Sequence, residues 1–316
     1  TAMMAGQENA IAVTESQLSS INAYLTEQNL EPLEVVGDTR PFLEKEGGGE
    51  TDRGDRGVWM KVYEYVFEQI DSGEWTISKQ CIQHNGTLNL ANFDYSIANR
   101  MFMYNRILVA EATEEELAME ERILAYTEDN TPVIGVWHLD GDEERYVMYI
   151  NNHNKFFLVT FETWNASWTS GLDRVVPKVA EEEKLTYDPS KVYIAMTFSE
   201  TDNNSFTNYQ FPAFYESEAR GEFPMDINPN IVAYINATMA PGDGFATGES
   251  GIGYIRNPAV VESHKADFFG ASDLYAERIG NGCIRTLLNN KLGAMDYCIY
   301  MKNIESVLSG YGAGYE

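Results

Sequence analysis

The sequence predicts an α/β protein, an irregular (β/α) TIM-like barrel of about seven strands. Three observations carry that expectation. Short apolar runs of strand length alternate with amphipathic stretches of helix length, the pattern of βαβ units around a largely parallel sheet. The run Lys191-Val-Tyr-Ile-Ala-Met-Thr-Phe198 suits a strand buried on both faces, and a polar burst follows it at once. That burst stands at the carboxyl end of the expected strand, where α/β folds keep their chemistry. Finally, no segment repeats at a solenoid period, and neither a Gly-x-Gly-x-x-Gly turn opening a helix nor a Walker loop is present, so nucleotide binding has no support. With 316 residues, 44% of them apolar, the chain can bury a sizeable core. A single domain over 1–316 is expected, with 1–30 as a helical lead-in and 38–57 as a flexible loop.

Taken in order, residues 14–29 read as a helix, with Thr14 as N-cap, Gln17 three residues on, and Leu18, Ile21 and Leu25 along one face. Leu33-Glu-Val-Val-Gly37 reads as a short strand. The charged, glycine-rich stretch from Asp38 to Gly57 reads as a loop. Val58 to Ile70 is helical, with Trp59, Val62, Tyr63, Val66, Phe67 and Ile70 as its apolar stripe. A strand over Ser78–Gln83, closed by His84, a helical stretch around Phe93–Ile97 and a strand over Met101–Val109 come next. Thr113 and Glu116 form a capping box for a helix reaching about Tyr126. Pro132–Trp137 is a strand tipped by His138. Arg145–Ile150 and Lys155–Phe161 carry strand signals around Asn151-Asn-His-Asn154, as in a hairpin. Beyond Phe198, Val260–Ile279 is mostly helical, and Cys283–Leu288 and Tyr297–Met301 are strand candidates.

The balance of 49 acids against 22 bases gives a net charge of −27, which argues against nucleic acid or an anionic membrane surface as the main partner. No run approaches the length of a membrane span, and no signal peptide is visible. The first residue is Thr1 rather than Met, which is expected if a leader or an upstream region has been removed. The three cysteines, Cys81, Cys283 and Cys298, are too few for a disulfide framework and contain no Cys-x-x-Cys pair. One bridge with an odd thiol and three buried thiols both stay open. Sequons stand at Asn85, Asn165, Asn203 and Asn236 and support a secreted, extracellular protein.

Two neighbouring carboxyl groups can divide acid–base work, one a proton donor and the other a nucleophile or base. Glu200 and Asp202 follow the same expected strand at i and i+2, so in an extended segment both face one way. Two close carboxylates also push one pKa up, which keeps an acid protonated near neutral pH. Asp226, Asp243 and Glu249 stand in later segments expected at the same end, so the pair is equally one acid from 200–202 and one of these. Asp94 is expected to fix a helix start. Gly248, Gly251 and Gly253 allow a close backbone approach or a tight turn. Tyr254, Trp137, Trp164 and Trp168 are each either sugar platforms or core residues. His84 and His138 end strands and are substrate-contact candidates. The histidines lack metal-ligand spacing, so no metal and no cofactor are expected.

The same segments resemble the family named for its GxGYxYP motif, a family of glycoside-hydrolase-like proteins. The resemblance rests on Phe198-Ser-Glu-Thr-Asp-Asn203, Arg220-Gly-Glu-Phe-Pro224, Asn228-Pro229, Asp243 and Gly248-Glu-Ser-Gly-Ile-Gly-Tyr-Ile-Arg-Asn-Pro258. Asp94-Tyr95 and Asn165-Ala-Ser167 are similar to further family landmarks. It spans about residues 30–315 and is specific mainly over 191–258. It implies an irregular (β/α) barrel with the motif loops at one end, and secretion in many relatives. Glu200 and Thr201 stand where the family has Asp and Gly. The name motif carries one extra residue, and Met225-Asp-Ile-Asn228 is shorter than the family pattern and lacks its tryptophan.

The expected function is hydrolysis of a glycosidic bond by a secreted enzyme, with Glu200, Asp202 and Asp243 as catalytic acids. Asn203, Asp226, Glu249, Tyr254, Trp164 and His138 are the expected substrate contacts, and carbohydrate the expected partner. The alternative is a non-catalytic extracellular protein that binds glycans or assembles into a structure, which the altered signature and the sequons favour. Self-association and a missing flanking domain both stay open.

Overall fold

The computed structural model describes residues 1–39, 56–84, 92–105, 112–135, 143–160, 166–171, 186–194, 196–198, 213–214, 216–227, 240, 242–247, 250–255, 264–278, 283–286, 299–302 and 306–309. The protein is mixed α/β. Its described strands form two parallel sheets, one of four strands in the order β2-β1-β3-β4 and one of five in the order β5-β6-β7-β8-β9. They are β1 (Cys81–His84), β2 (Phe102–Asn105), β3 (Pro132–Gly135), β4 (Phe156–Val159), β5 (Thr197–Phe198), β6 (Asp226–Ile227), β7 (Gly244–Thr247), β8 (Cys283–Thr286) and β9 (Ser306–Ser309). The helices are α1 (Ala2–Gln7), α2 (Glu15–Glu27), α3 (Arg56–Asp71), α4 (Phe93–Ala98), α5 (Glu114–Tyr126), α6 (Glu143–Asn152), α7 (Ala166–Thr169) and α8 (Lys265–Arg278). The second sheet keeps sequence order, as a barrel wall does; the first does not. A ring of about seven strands is therefore not what the described residues form. Among them, no helix is long and apolar enough to cross a membrane.

The chain divides into two compact units. The first comprises Thr1–Thr127 with Asn165–Ser170. Here β1 and β2 pair in parallel, Cys81 opposite Phe102 and His84 opposite Asn105. The expected stripe of α3 buries Val58, Tyr63, Val66 and Phe67, the rings of Tyr63 and Phe67 lying 6.2 and 5.2 Å from that of Phe102 in β2, and Ile82 of β1 and Ile123 and Leu124 of α5 are buried in the same unit. Cys81 is a buried thiol in no disulfide. Both capping boxes form. Thr113 accepts from the Glu116 amide at 3.2 Å while Glu116 accepts from the Thr113 amide at 2.8 Å, and Thr14 and Gln17 do the same for α2. Yet α2 buries none of its residues. The strand expected at Leu33–Gly37 does not form: Leu33, Val35 and Val36 are exposed, and the Asn22 side chain brackets the backbone N–H and C=O of Leu33 instead.

The second unit comprises Glu128–Trp164 with Gly171–Glu316. Its largest surprise is α6, where a hairpin strand was expected. Tyr146, Val147, Ile150 and Asn151 are buried, a set spaced for one helix face and not for alternation. The aromatic and β-branched content mimics a strand; the spacing decides. The expected turn is a helix cap of the Schellman type. Lys155 N–H bonds to Ile150 C=O at 3.1 Å and Asn154 N–H to Asn151 C=O at 2.9 Å, with Asn154 at φ 56°. Then β4 pairs with β3, Phe156 opposite Pro132, and its Phe156 packs with Ile255, Phe268, Phe269, Ala276 and Met301.

Two further expectations change here. Among its described residues the run 191–198 is a strand only at Thr197–Phe198, and Val192, Tyr193, Ile194 and Met196 are exposed, so apolar content alone misleads. Ile299 and Tyr300 form a helical turn in place of a strand, Tyr300 stacking on Phe269 with ring centres 5.4 Å apart, and the last strand is β9.

Candidate functional site

Three neighbouring strands frame the site. Thr197, Asp226 and Gly244 stand side by side across β5, β6 and β7, followed by Phe198, Ile227 and Phe245. All three strands are parallel, so their carboxyl ends share one edge of the sheet and their amino ends the other. The chain leaves the carboxyl edge towards Ser199–Asn203 from β5, Asn228-Pro229 from β6 and Gly248-Glu249 from β7. Asp226 is the first residue of β6, and the structure describes its backbone. Glu200, Asp202, Asn203, Glu249, Trp137, Trp164 and His138 lie outside the described residues, as do the sequon residues Asn85, Asn165 and Asn236. His84 is the last residue of β1.

Asp243 lies on the other edge, immediately before β7. Its carboxylate is buried, with the residue 1% exposed, and both of its oxygens are engaged. Oδ2 pairs with the Arg220 guanidinium and accepts from the Ala240 amide at 2.7 Å; Oδ1 accepts from the Met225 amide at 3.1 Å. Gly244 N–H bonds to Met225 C=O at 3.0 Å, so the carboxylate sits where β6 and β7 begin. Arg220 lies 5.3 Å from the centre of the Phe214 ring. Gly221 and Gly242 have φ of 93° and 84°, and a side chain at Gly242 would meet Pro224 at 3.3 Å. Thus the Arg220–Pro224 segment and Asp243, separate in sequence, form one latch. A carboxylate bound by a guanidinium and two amides at the amino edge stabilises a turn, and it does not fit the catalytic role expected of Asp243.

The name-motif segment also packs inward. Tyr254 pairs with Phe157 in a single antiparallel bridge, with N···O distances of 2.7 and 3.1 Å. Tyr254 is 7% exposed, so core packing replaces the expected sugar stacking. A Cβ at Gly253 would come within 2.4 Å of the Phe156 ring and 2.9 Å of Phe157 C=O. That glycine admits a neighbouring strand, not a ligand. Ser250, at φ 62°, donates to Ile255 C=O at 3.1 Å, and Ser272 accepts from the Ile252 amide at 3.2 Å.

Asp94 fixes a helix start, though not that of its own helix. Its Oδ2 accepts from both the amide, at 2.9 Å, and the hydroxyl of Ser167 in the first turn of α7. Ser170 donates to Ser167 C=O at 3.0 Å, closing the other end of that turn.

One ionic group escaped the sequence reading. The side chain of Lys155, 1% exposed, places its ammonium 3.1 Å from Asp129 Oδ1, and His264 Nε2 lies 3.2 Å from Asp129 Oδ2. Burial alone would raise the Asp129 pKa, but hydrogen bonding and charge from Lys155, then from His264, outweigh it and hold the carboxyl below its usual range. Nothing in the sequence spacing flags this trio, because its members are far apart in the chain. No group of three or more His, Cys, Asp or Glu residues suited to a metal ion occurs among the described residues.

Residues 190–311 match the model of the GxGYxYP putative glycoside hydrolase C-terminal domain, and residues 79–171 match that of the GxGYxYP third domain. A solved structure described as a putative hydrolase from Bacteroides thetaiotaomicron is similar in fold, with a TM-score of 0.70 at 15% identity. The likeness covers 97% of this chain and 56% of that one, so the chain spans little more than half of that protein's length. None of the curated proteins matches. Two domain models of one family, in order, thus take in most of the sequence, and the chain belongs to the GxGYxYP family.

Proposed function

We propose that the protein is a secreted glycoside hydrolase whose acids follow the carboxyl ends of β5 and β7. The observation that carries the proposal is the shared edge at which these parallel strands end. Glu200 and Asp202 come two and four residues after Phe198, and Glu249 two residues after Thr247. Within the family-matched segment, this is where α/β sheets and barrels hold their reacting groups. In this scheme one carboxyl group protonates the leaving oxygen and the other attacks the sugar or activates water. Asn203 belongs to the same neighbourhood as a substrate contact, with Trp164 and His138 as further ones, whereas Asp226, the first residue of β6 beside Gly244, begins its strand at the amino edge next to Asp243. Asp243 is a positioning residue that sets the register of β6 and β7 below the site. We also propose an irregular (β/α) barrel for this part of the chain, on the sequence order of the five-stranded sheet. Secretion is supported by the sequons and the acidic composition.

The second reading, a non-catalytic glycan-binding or assembly protein, is favoured by one feature: the exposed apolar run Val192, Tyr193, Ile194 and Met196 directly before β5. Turnover separates the two. Hydrolysis of an aryl glycoside or an oligosaccharide by the wild type, abolished by Glu200→Gln or Asp202→Asn without loss of fold, supports the enzyme. Full activity in both variants contradicts it.

A further inference from the structure

Trp168 is the feature that the proposed hydrolase site does not absorb. Tryptophan is highly buried on average, and a soluble surface carries few exposed ones beyond what binding needs. Trp168 is 67% exposed. It is also firmly mounted. It sits in α7, a helix of only 4 residues, too short to hold its shape alone. Asp94 of α4 binds the amide and the hydroxyl of Ser167 in its first turn, and the Ser170 hydroxyl binds the Ser167 carbonyl at its end. The two landmarks Asp94-Tyr95 and Asn165-Ala-Ser167, some seventy residues apart, meet here, and what their contact holds in place is the turn that carries the indole.

We propose that Trp168 is a carbohydrate-binding platform in the first unit, stacking its indole on the apolar face of a pyranose ring. A rigid ring gives contact area at small entropic cost, and one face of a pyranose presents C–H groups that an indole face accepts. Asp94 acts through α7 as a positioning residue. The platform binds polysaccharide and takes no part in bond cleavage. Its chemical class rests on the glycoside hydrolase reading above.

Affinity gel electrophoresis tests it, with the full chain run through gels containing xyloglucan, arabinoxylan, mixed-linkage β-glucan, galactomannan or pullulan. Expected is retardation of the wild type by at least one of these. Trp168→Ala should lose at least tenfold in affinity, and Trp168→Phe, which keeps a smaller platform, should recover much of it. Cleavage of a small aryl glycoside and the Tm should be unchanged in both. A Trp168→Ala protein retarded as strongly as the wild type overturns the platform and leaves the hydrolase proposal standing. A wild type retarded by none of the five also overturns it, while the hydrolase proposal is judged separately by turnover of the small glycoside.

Discussion

Replacing Asp243 with Ala takes an acceptor from two backbone amides and from the Arg220 guanidinium together. Removing one partner of a buried ion pair costs about 3–5 kcal/mol, so thermal unfolding of Asp243→Ala should move down by many degrees. Loss of activity in that variant should follow loss of fold. Gly253→Ala makes a second residue-scale test. Its Cβ would enter the Phe156 ring and crowd the carbonyl that pairs with Tyr254, and overpacking of this kind costs about 1–3 kcal/mol. Denaturant unfolding should show the lowered midpoint. Asp129 gives a pH test. Its pKa is lowered on folding, so its contribution is complete above the usual carboxylate range and fades as pH falls through the lowered folded value. Asp129→Asn should lower stability at neutral pH and flatten the acid limb of the stability–pH curve.

At the scale of elements, local chemistry read from sequence was sound where it was dense. Thr113 with Glu116, and Thr14 with Gln17, start their helices as their spacing predicts, and the stripe of α3 faces the core. Thr113→Ala should cost about 1 kcal/mol, seen as a lowered Tm. What a cap does not reveal is packing. Because α2 buries nothing while α5 buries Met119, Ile123 and Leu124, amide hydrogen exchange should be much faster across Glu15–Glu27 than across Glu114–Tyr126. Strands were less legible. The residues 145–150 have strand composition and helical spacing, and Lys191–Ile194 has apolar content without a sheet to enter. With only two residues each, β5 and β6 are too short to leave a periodic signal, so the edge on which an acid would stand was hidden. That is why Asp243 read as a companion of Glu200 and Asp202 and proved to be a latch at the other end of the strands.

Across the whole molecule, the family segments and the compact units divide the chain differently. Lys155, Phe156 and Phe157 belong to the segment matched by the third-domain model, yet they bind Asp129, pack on Phe268 and pair with Tyr254 inside the second unit. The class was legible from alternating elements; the pairing of distant segments was not, because single contacts such as Phe157 with Tyr254 leave no pattern in sequence. The central claim is that the catalytic acids follow the carboxyl edge of β5–β7 while Asp243 holds the opposite edge. It is tested most directly by assaying glycoside turnover and Tm together in wild type, Glu200→Gln, Asp202→Asn and Asp243→Ala. The account predicts lost turnover at wild-type Tm for the first two variants and a lowered Tm for the third. Undiminished turnover in both Glu200→Gln and Asp202→Asn, or an Asp243→Ala protein that is inactive at unchanged Tm, would contradict it.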